Sequence, residues 1–137
     1  MEPGAARERF AAARSARLAS IGPDGPHLVP VCFAVVGDTV YSAVDAKPKR
    51  GTRLQRLRNL EADPRAAMLA DHYEDRDWSA LWWVRATGSA RVLALDDPEA
   101  VEAVDRLVER YAQYREARPP GEVIALDVAR WTGWTAA

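Results

Sequence analysis

The sequence has 137 residues, a length that suits one folded domain over residues 1–137. Its hydrophobic fraction of 48% and charged fraction of 28% are typical of a globular protein, and its net charge of -1 excludes a general attraction to nucleic acid or anionic lipid. Residues 1–17 contain no unbroken apolar run, so we expect no signal peptide or membrane span and a cytoplasmic protein.

The N-terminal third predicts one helix and three strands. Good helix formers fill residues 2–14. Two apolar runs, 17–21 and 27–36, then flank the turn residues of Gly-Pro-Asp-Gly-Pro, an arrangement that predicts a β-hairpin. Gly37 and Asp38 precede a further strand at 39–43. The order predicts a three-stranded antiparallel meander.

Two helices and three strands are expected in the rest of the chain. Residues 52–62 favour a helix that ends before Asp63-Pro64, and residues 65–72 and 82–95 read as strands, the second with strict alternation of polar and apolar residues. Asp97 and Pro98 start a helix with one apolar stripe, and residues 123–134 form a closing strand. The stripe consists of Val101, Val104, Leu107, Val108 and Tyr111.

These segments indicate a mainly β fold with peripheral helices. Six strand segments with short connections do not alternate regularly with helices, as a parallel sheet requires. We therefore expect a six-stranded antiparallel β-barrel with two or three helices on its outside.

Side chains for acid-base, nucleophilic or metal chemistry are scarce. The sequence holds two histidines, His27 and His72, and lacks a Gly-x-Ser-x-Gly motif. Its one cysteine, Cys32, lies in an apolar run, where we expect a small buried residue. We predict no metal site, no disulfide and no identifiable catalytic side chain.

The segment from Lys47 to Arg58 is rich in cations and contains no acid. If a helix begins near Pro48, Lys49, Arg53 and Arg56 project from one face and Thr52 adds a hydroxyl, an arrangement that suits a phosphate group. A solvated basic helix is the structural alternative. Contact with nucleic-acid phosphate is another, which the lack of interleaved aromatic residues disfavours.

Five tryptophans are a second unusual feature, and three of them, Trp78, Trp82 and Trp83, lie in or beside a charged segment. Clustered aromatic side chains can cover a planar ring or form an oligomer interface. Core packing is the alternative, and we favour it for Trp131 and Trp134.

The order of these motifs resembles the pyridoxamine 5′-phosphate oxidase-like split β-barrel proteins, especially the branch that uses the deazaflavin F420 in actinobacteria. ARLASIGPDGPHLVPVCFAVVGDTVYSAV is similar to the first hairpin and third strand of that family. RLRNLEADPRAAM resembles its helix-to-strand junction, while HYEDRDWSALWWVRATGSARV and VARWTGW resemble its next long strand and its terminal aromatic strand.

The resemblance implies an FMN-binding-protein-like split β-barrel that forms a homodimer with two cofactor sites at the interface. It implies an oxidoreductase in which F420, or alternatively FMN, carries out hydride transfer with a small, apolar or aromatic substrate. Vitamin B6 oxidation itself is not expected, because no pyridoxamine phosphate site is apparent.

The resemblance also implies roles for particular residues. Arg56 takes the phosphate-contacting position, where the family has a lysine, and backbone groups of residues 29–33 lie along the cofactor ring. Trp78, with Trp82 or Trp83, would shape the substrate side. The full set of expected cofactor-binding residues is Val29, Pro30, Val31, Cys32, Phe33, Lys47, Lys49, Arg50, Thr52, Arg53 and Arg56.

Two other functions use the same fold. A non-catalytic cofactor carrier or sensor would bind with the same residues and show no turnover. A heme-binding relative would need His27 or His72 to reach the iron.

Overall fold

The computed structural model describes residues 1–45 and 53–137. Within them, seven antiparallel strands form one sheet, in the order β2-β1-β5-β6-β7-β4-β3. The strands are β1 (Ala16–Gly22), β2 (Gly25–Val31), β3 (Ala34–Val36), β4 (Thr39–Ala43), β5 (Arg65–His72), β6 (Trp82–Leu93) and β7 (Val123–Thr135). The mainly β antiparallel architecture that the sequence predicts is confirmed.

Four α-helices accompany the sheet in the described part of the chain, where the sequence predicted two or three. They are α1 (Pro3–Ala12), α2 (Gln55–Ala62), α3 (Pro98–Arg110) and α4 (Ala112–Glu116), and Trp78–Ala80 form one turn of 3-10 helix. Asp97 caps α3 as predicted, because its carboxylate accepts a hydrogen bond from the Glu99 backbone N–H at 2.8 Å. None of the described helices is long and apolar enough to cross a membrane.

The described sheet has seven strands instead of the predicted six, and the predicted three-stranded meander is interrupted at one place. Residues 27–36 do not form one strand, since the pairing of β2 ends at Val31 and β3 begins at Ala34. Cys32 and Phe33 turn the chain from one end of the sheet to the other, and no pairing between described residues joins β2 to β3. The sheet is open there. The sequence does not show this break, because Phe33 is fully buried in the core. The apolar run therefore continues through the break without the polar or turn residues that usually mark the end of a strand.

Two main cores lie on opposite faces of the C-terminal part of the sheet, and a third cluster of buried residues, Ala34, Leu107 and Tyr114, joins β3 to α3 and α4. The larger core lies inside the curved sheet and includes Phe10 of α1, Leu57 of α2 and Met68 of β5. The smaller core packs α3 against β4 and β7, through Val104 and Val123 among others. Strand β7 contributes Ile124 and Leu126 to the first core and Val123 and Ala125 to the second, so its first residues are buried on both faces.

Burial corrects three further expectations. Val101 is 43% exposed, because α3 packs through the smaller residues Ala100 and Ala103 with Val104 and Leu107. Trp131 is buried as predicted, but Trp134 is 46% exposed. Cys32 is only partly buried, since it lies at the break after β2 instead of inside a strand.

Candidate functional site

A cavity of about 210 Å³ opens where β2, β4 and α2 approach one another. The end of β2 with the residue after it and the end of β4 both line the cavity, and α2 contributes a single cation. The lining residues are Ser15, Pro30, Val31, Cys32, Ser42, Ala43, Asp45, Arg56 and Tyr114. We call this the first cavity.

The first cavity brings together the central part of the predicted ring-binding strand. Pro30, Val31 and Cys32 line it, whereas Val29 packs toward the core and Phe33 is buried against Phe10, with ring centroids 4.7 Å apart. Strand β2 is the end strand of the sheet, and on its outer side it pairs with no other described strand. Its outward-directed backbone groups are therefore available to a planar ligand.

Arg56 lies in the first turn of α2 and is the one described basic side chain in the first cavity. Arg53 lies elsewhere: its guanidinium contacts the carboxylates of Glu61 and Glu122, with Nη2 2.5 Å from Glu122. Helix α2 begins at Gln55, so Arg53 precedes the helix and the predicted common helical face of Arg53 and Arg56 is wrong. Lys47, Lys49, Arg50 and Thr52 lie outside the described residues.

Two ion pairs neutralise the charge of Arg53. Hydrogen bonds from its guanidinium to Glu122 and Glu61 raise the pKa of Arg53 far above its ordinary value. The cation thus remains charged but is already matched by two carboxylates. Arg56 has no carboxylate partner among the described salt bridges, so it is the better placed of the two for an anionic ligand.

A second cavity of about 310 Å³ adjoins the first and shares Cys32, Asp45 and Tyr114 with it. Tyr111, Gln113 and Ala117 complete its lining. The Tyr114 hydroxyl donates to Asp45 Oδ2 at 3.3 Å, and burial, followed by the proximity of Cys32 and Asp45, raises the pKa of Tyr114 well above its ordinary range. The phenol therefore remains a hydrogen-bond donor at neutral pH.

The three tryptophans expected on the substrate side do not line either cavity in the described part of the chain. Trp78 is 66% exposed in the 3-10 turn. Trp82 contacts His72 and Arg9, and Trp83 contacts the Arg85 guanidinium. Within a single chain these side chains and the first cavity remain separate.

Sequence reasoning missed several lining residues, including Ser15, Ser42, Asp45 and Tyr114. Ser42 is buried in β4, whose sequence gave no sign of a binding site. Tyr114 lies in the short helix α4, which the hydrophobic periodicity of the sequence did not predict. Both residues are far from β2 in the sequence and meet it only in the folded chain. Asp45 carried one weak signal, as an acid directly after a strand and before the basic segment.

The asparagine of the RLRNLEADP segment has a structural partner. Asn59 is 2% exposed, and its side-chain amide donates to Ser20 Oγ at 3.1 Å and accepts from Gln55 Nε2 at 2.7 Å. The segment thereby joins α2 to β1 and fixes the position of Arg56, three residues before Asn59.

The whole pattern has a counterpart among known families. Residues 3–135 match the model of the family described as pyridoxamine 5′-phosphate oxidase. The chain belongs to this family. The resemblance inferred from the sequence motifs is therefore confirmed at the family level, and no functionally curated protein matches the sequence.

Solved structures share the fold of this family member. A conserved hypothetical protein from Mycobacterium tuberculosis is 24% identical, with a TM-score of 0.78 over 99% of this chain and 86% of the other. An FAD-binding protein from Mycobacterium smegmatis is 16% identical, with a TM-score of 0.66 over 98% and 96%. A heme storage protein from Vibrio cholerae is 14% identical, with a TM-score of 0.72 over 98% and 95%.

The residues of the first cavity fit a phosphate-bearing flavin-type cofactor. Arg56 supplies a cation, Ser15 and Ser42 supply hydroxyls, and the strand wall from Pro30 to Cys32 offers an apolar edge to a ring. The one acid among the described lining residues, Asp45, already accepts a hydrogen bond from Tyr114. The two adjoining cavities together reach the range of small-molecule sites, which is about 300–1,000 Å³. General cofactor binding is thus consistent with both the family and the geometry.

Proposed function

We propose that this chain is an oxidoreductase that binds the deazaflavin F420, with FMN as the alternative cofactor of the same fold. The observation that carries the proposal is the first cavity, in which Arg56 faces the end of β2 at Pro30, Val31 and Cys32. A cation opposite an apolar strand edge matches the two parts of such a cofactor, its phosphate and its ring.

Within this proposal the chain's residues bind and orient, and the cofactor supplies hydride transfer when it is bound. Arg56 would hold the phosphate, since Arg53 is already paired with Glu61 and Glu122. Pro30, Val31 and Cys32 would lie along the ring. The preference for F420 depends on the motif resemblance and on the basic composition of residues 47–58, which suits a long polyanionic tail.

A homodimer is part of the proposal, because one face of the sheet is largely apolar and no helix in residues 1–45 and 53–137 covers it. Residues of β1, β2, β5 and β6 that alternate with core residues form this outer face: Arg17, Ala19, Ile21, Leu28, Ala67, Leu69, Trp83 and Arg85. Leu28 is 69% exposed and Ile21 41%. The described helices α1 and α2 bury their residues in the core inside the sheet, away from this face.

The outer face suits a second copy of the same chain. It carries cations and an acid together, with Arg17 Nη1 3.5 Å from Asp71, so a twofold arrangement can oppose unlike charges across the interface. A groove of about 400 Å³ between Leu28, Leu69 and Arg85 can receive side chains of the partner.

The outer face also leads to the first cavity. Pro30 follows Leu28 by two residues on the same side of β2, and Pro30 lines the cavity. A second copy on the outer face would therefore bring residues next to the cofactor, and Trp83 lies on that face. In this arrangement Trp83, which stands apart from the cavity within one chain, would approach the cavity of the partner.

Fluorescence titration of the purified protein with F420 and, in parallel, with FMN tests the proposal. We expect saturable quenching by F420 at about one cofactor per subunit, followed by turnover with an acceptor. Tighter binding of FMN than of F420 would favour the alternative of an FMN-dependent protein. Binding without turnover would indicate a carrier or sensor. If the protein bound neither cofactor, the proposal would be refuted.

Heme is the competing ligand class. In the described part of the chain neither His27 nor His72 lines the two cavities, and His72 instead stacks on Trp82. A Soret band after hemin addition that is lost in the His27→Ala variant would favour heme binding over the flavin-type proposal.

A further inference from the structure

The hydroxyl of Tyr111 lies at the point where three segments of the chain meet. It accepts hydrogen bonds from the Phe33 backbone N–H and from Arg110 Nε, both at 3.2 Å. Its proton is directed to the carbonyl of Arg14 at 2.9 Å, with the Phe33 carbonyl also within reach at 3.1 Å. One phenol thus uses both its acceptor sites and its donor.

The partners of this hydroxyl are the immediate neighbours of two cavity-lining residues. Arg14 precedes Ser15, which lines the first cavity beside β1. Phe33 follows Cys32, which lines both cavities at the break after β2. Tyr111 therefore connects two separate parts of the cavity wall through a single atom.

Further contacts fix Tyr111 itself. The Arg14 guanidinium lies 4.8 Å from the centre of the Tyr111 ring and donates to the Arg110 carbonyl at 2.8 Å. Arg110 in turn donates to the Ala11 carbonyl at 2.6 Å and to the Ala13 carbonyl. These bonds hold the junction of α3 and α4 against the end of α1.

We infer that Tyr111 is a positioning residue that sets the spacing between Ser15 and Cys32, and hence the width of the first cavity. One consequence of this inference, that the hydroxyl controls cofactor affinity, rests on the proposed function. The geometric part stands by itself, because the break after β2 has no strand pairing of its own in the described residues. With no neighbouring described strand to hold Phe33, a tyrosine at the junction of α3 and α4 supplies the backbone hydrogen bonds.

The Tyr111→Phe variant tests this inference, because it keeps the ring and removes only the hydroxyl. Cys32 is the one cysteine of the sequence, so its alkylation rate reports on the break directly and without any cofactor. Tyr111→Phe removes all the hydrogen bonds of this hydroxyl, so we expect it to raise the rate of Cys32 labelling by at least about three- to tenfold, the factor that the loss of one hydrogen bond alone would give. Affinity for the bound cofactor, F420 or FMN, should fall by a similar factor.

Tyr41→Phe is the matched control. Tyr41 also donates its phenol proton, to Glu99 at 2.7 Å, and it packs against the N-terminal half of α3, away from both cavities. We expect this variant to lose thermal stability comparably while Cys32 labelling and cofactor affinity remain at wild-type values.

The two readouts separate the two hypotheses. Wild-type protein that binds neither cofactor would refute the proposed function, and the labelling comparison would still decide the role of Tyr111. A Tyr111→Phe labelling rate equal to that of the wild type, or an equal rise in Tyr41→Phe, would overturn the inference, since the hydroxyl would then have no particular effect on the break.

Discussion

Arg53 and Glu122 join the segment before α2 to the residue before β7, with guanidinium Nη2 2.5 Å from a carboxylate oxygen. Arg56, three residues later, lines the first cavity instead. Two cations that look equivalent in the sequence therefore have different surroundings, one inside an ion-paired cluster and the other facing a cavity.

This difference predicts that an alanine substitution at one position mainly weakens cofactor binding, whereas the same substitution at the other mainly lowers stability. Arg56→Ala should weaken F420 or FMN binding by about 2 kcal/mol, as expected for a charge-assisted contact, with little change in stability. Arg53→Ala should lower stability by about 1 kcal/mol, because its pairs are partly solvent-screened, and should affect binding less. Parallel fluorescence titrations and urea denaturation check both. Equal binding losses in the two variants would contradict the assignment of Arg56.

Much of this fold is accessible from the sequence because its signals are local. Turn residues mark the β1–β2 hairpin, alternation marks β6, and Asp97-Pro98 marks the start of α3. The family motifs also pointed to Arg56 and to the end of β2, which line the first cavity, and their role in cofactor binding stays a prediction. These features depend on neighbours in the sequence or on a spacing that the residues themselves display.

The missed features depend on contacts between distant segments. Phe33 turns the chain across the sheet inside an apolar run, and its backbone partner is Tyr111, 78 residues away. The matching of Arg53 by Glu122 spans 69 residues. No periodicity encodes such pairings, so the six-strand count and the common face of Arg53 and Arg56 were wrong for the same reason.

A glycine at the bulge of β6 should be indispensable. The pairing with β7 shifts between Thr87 and Gly88, and a Cβ atom on Gly88 would collide with the backbone carbonyl of Asp127. Gly88→Ala should therefore destabilise the protein by about 2 kcal/mol or more. Thermal denaturation checks this value. Gly4→Ala, where a Cβ atom meets nothing within 4 Å, is the control and should be neutral or slightly stabilising. Equal melting temperatures for the two variants would refute the steric argument.

The buried amide of Asn59 should be costly to remove. Asn59→Ala would leave Ser20 Oγ without its described donor and should cost about 2 kcal/mol of unfolding free energy. Ser20→Ala in the same chain should recover part of the loss, because no buried hydroxyl then remains unpaired. A double-mutant cycle by urea denaturation measures the coupling. Strictly additive losses would show that the Asn59–Ser20 bond contributes nothing.

Acid should weaken the contact between α3 and the sheet. Hydrogen bonds from Arg91 and then from Tyr41 lower the pKa of Glu99 from 4.5 to about 2. Because the folded-state pKa lies below the unfolded-state value, Glu99 contributes stability above about pH 4.5, and this contribution is lost as the pH falls toward 2. Both side chains of the Arg91–Glu99 pair are about a third exposed or more, so we expect a contribution of about 1 kcal/mol.

Urea denaturation at pH 7, 5 and 3 checks the contribution of Glu99. The Glu99→Gln variant should be less stable than wild type at pH 7 and should lose less stability on acidification. Glu109→Gln, an exposed position on the same helix, is the control and should follow the wild-type profile. A Glu99→Gln profile parallel to that of the wild type would exclude Glu99 as the titrating group.

The exposed leucine of β2 should govern self-association. Leu28 lies in the groove of the outer face, and burying such a side chain contributes about 1.5–3 kcal/mol, so Leu28→Lys should raise the dimer dissociation constant at least about tenfold. Leu95 is similarly exposed, at 62% against 69%, but lies between β6 and α3, outside the outer face. Leu95→Lys should therefore leave the dimer intact. Sedimentation velocity over a concentration series distinguishes the two variants. A monomeric wild-type protein, or equal dissociation constants for both variants, would show that the outer face is not the interface, and the tryptophans near it would then need a partner other than a second copy.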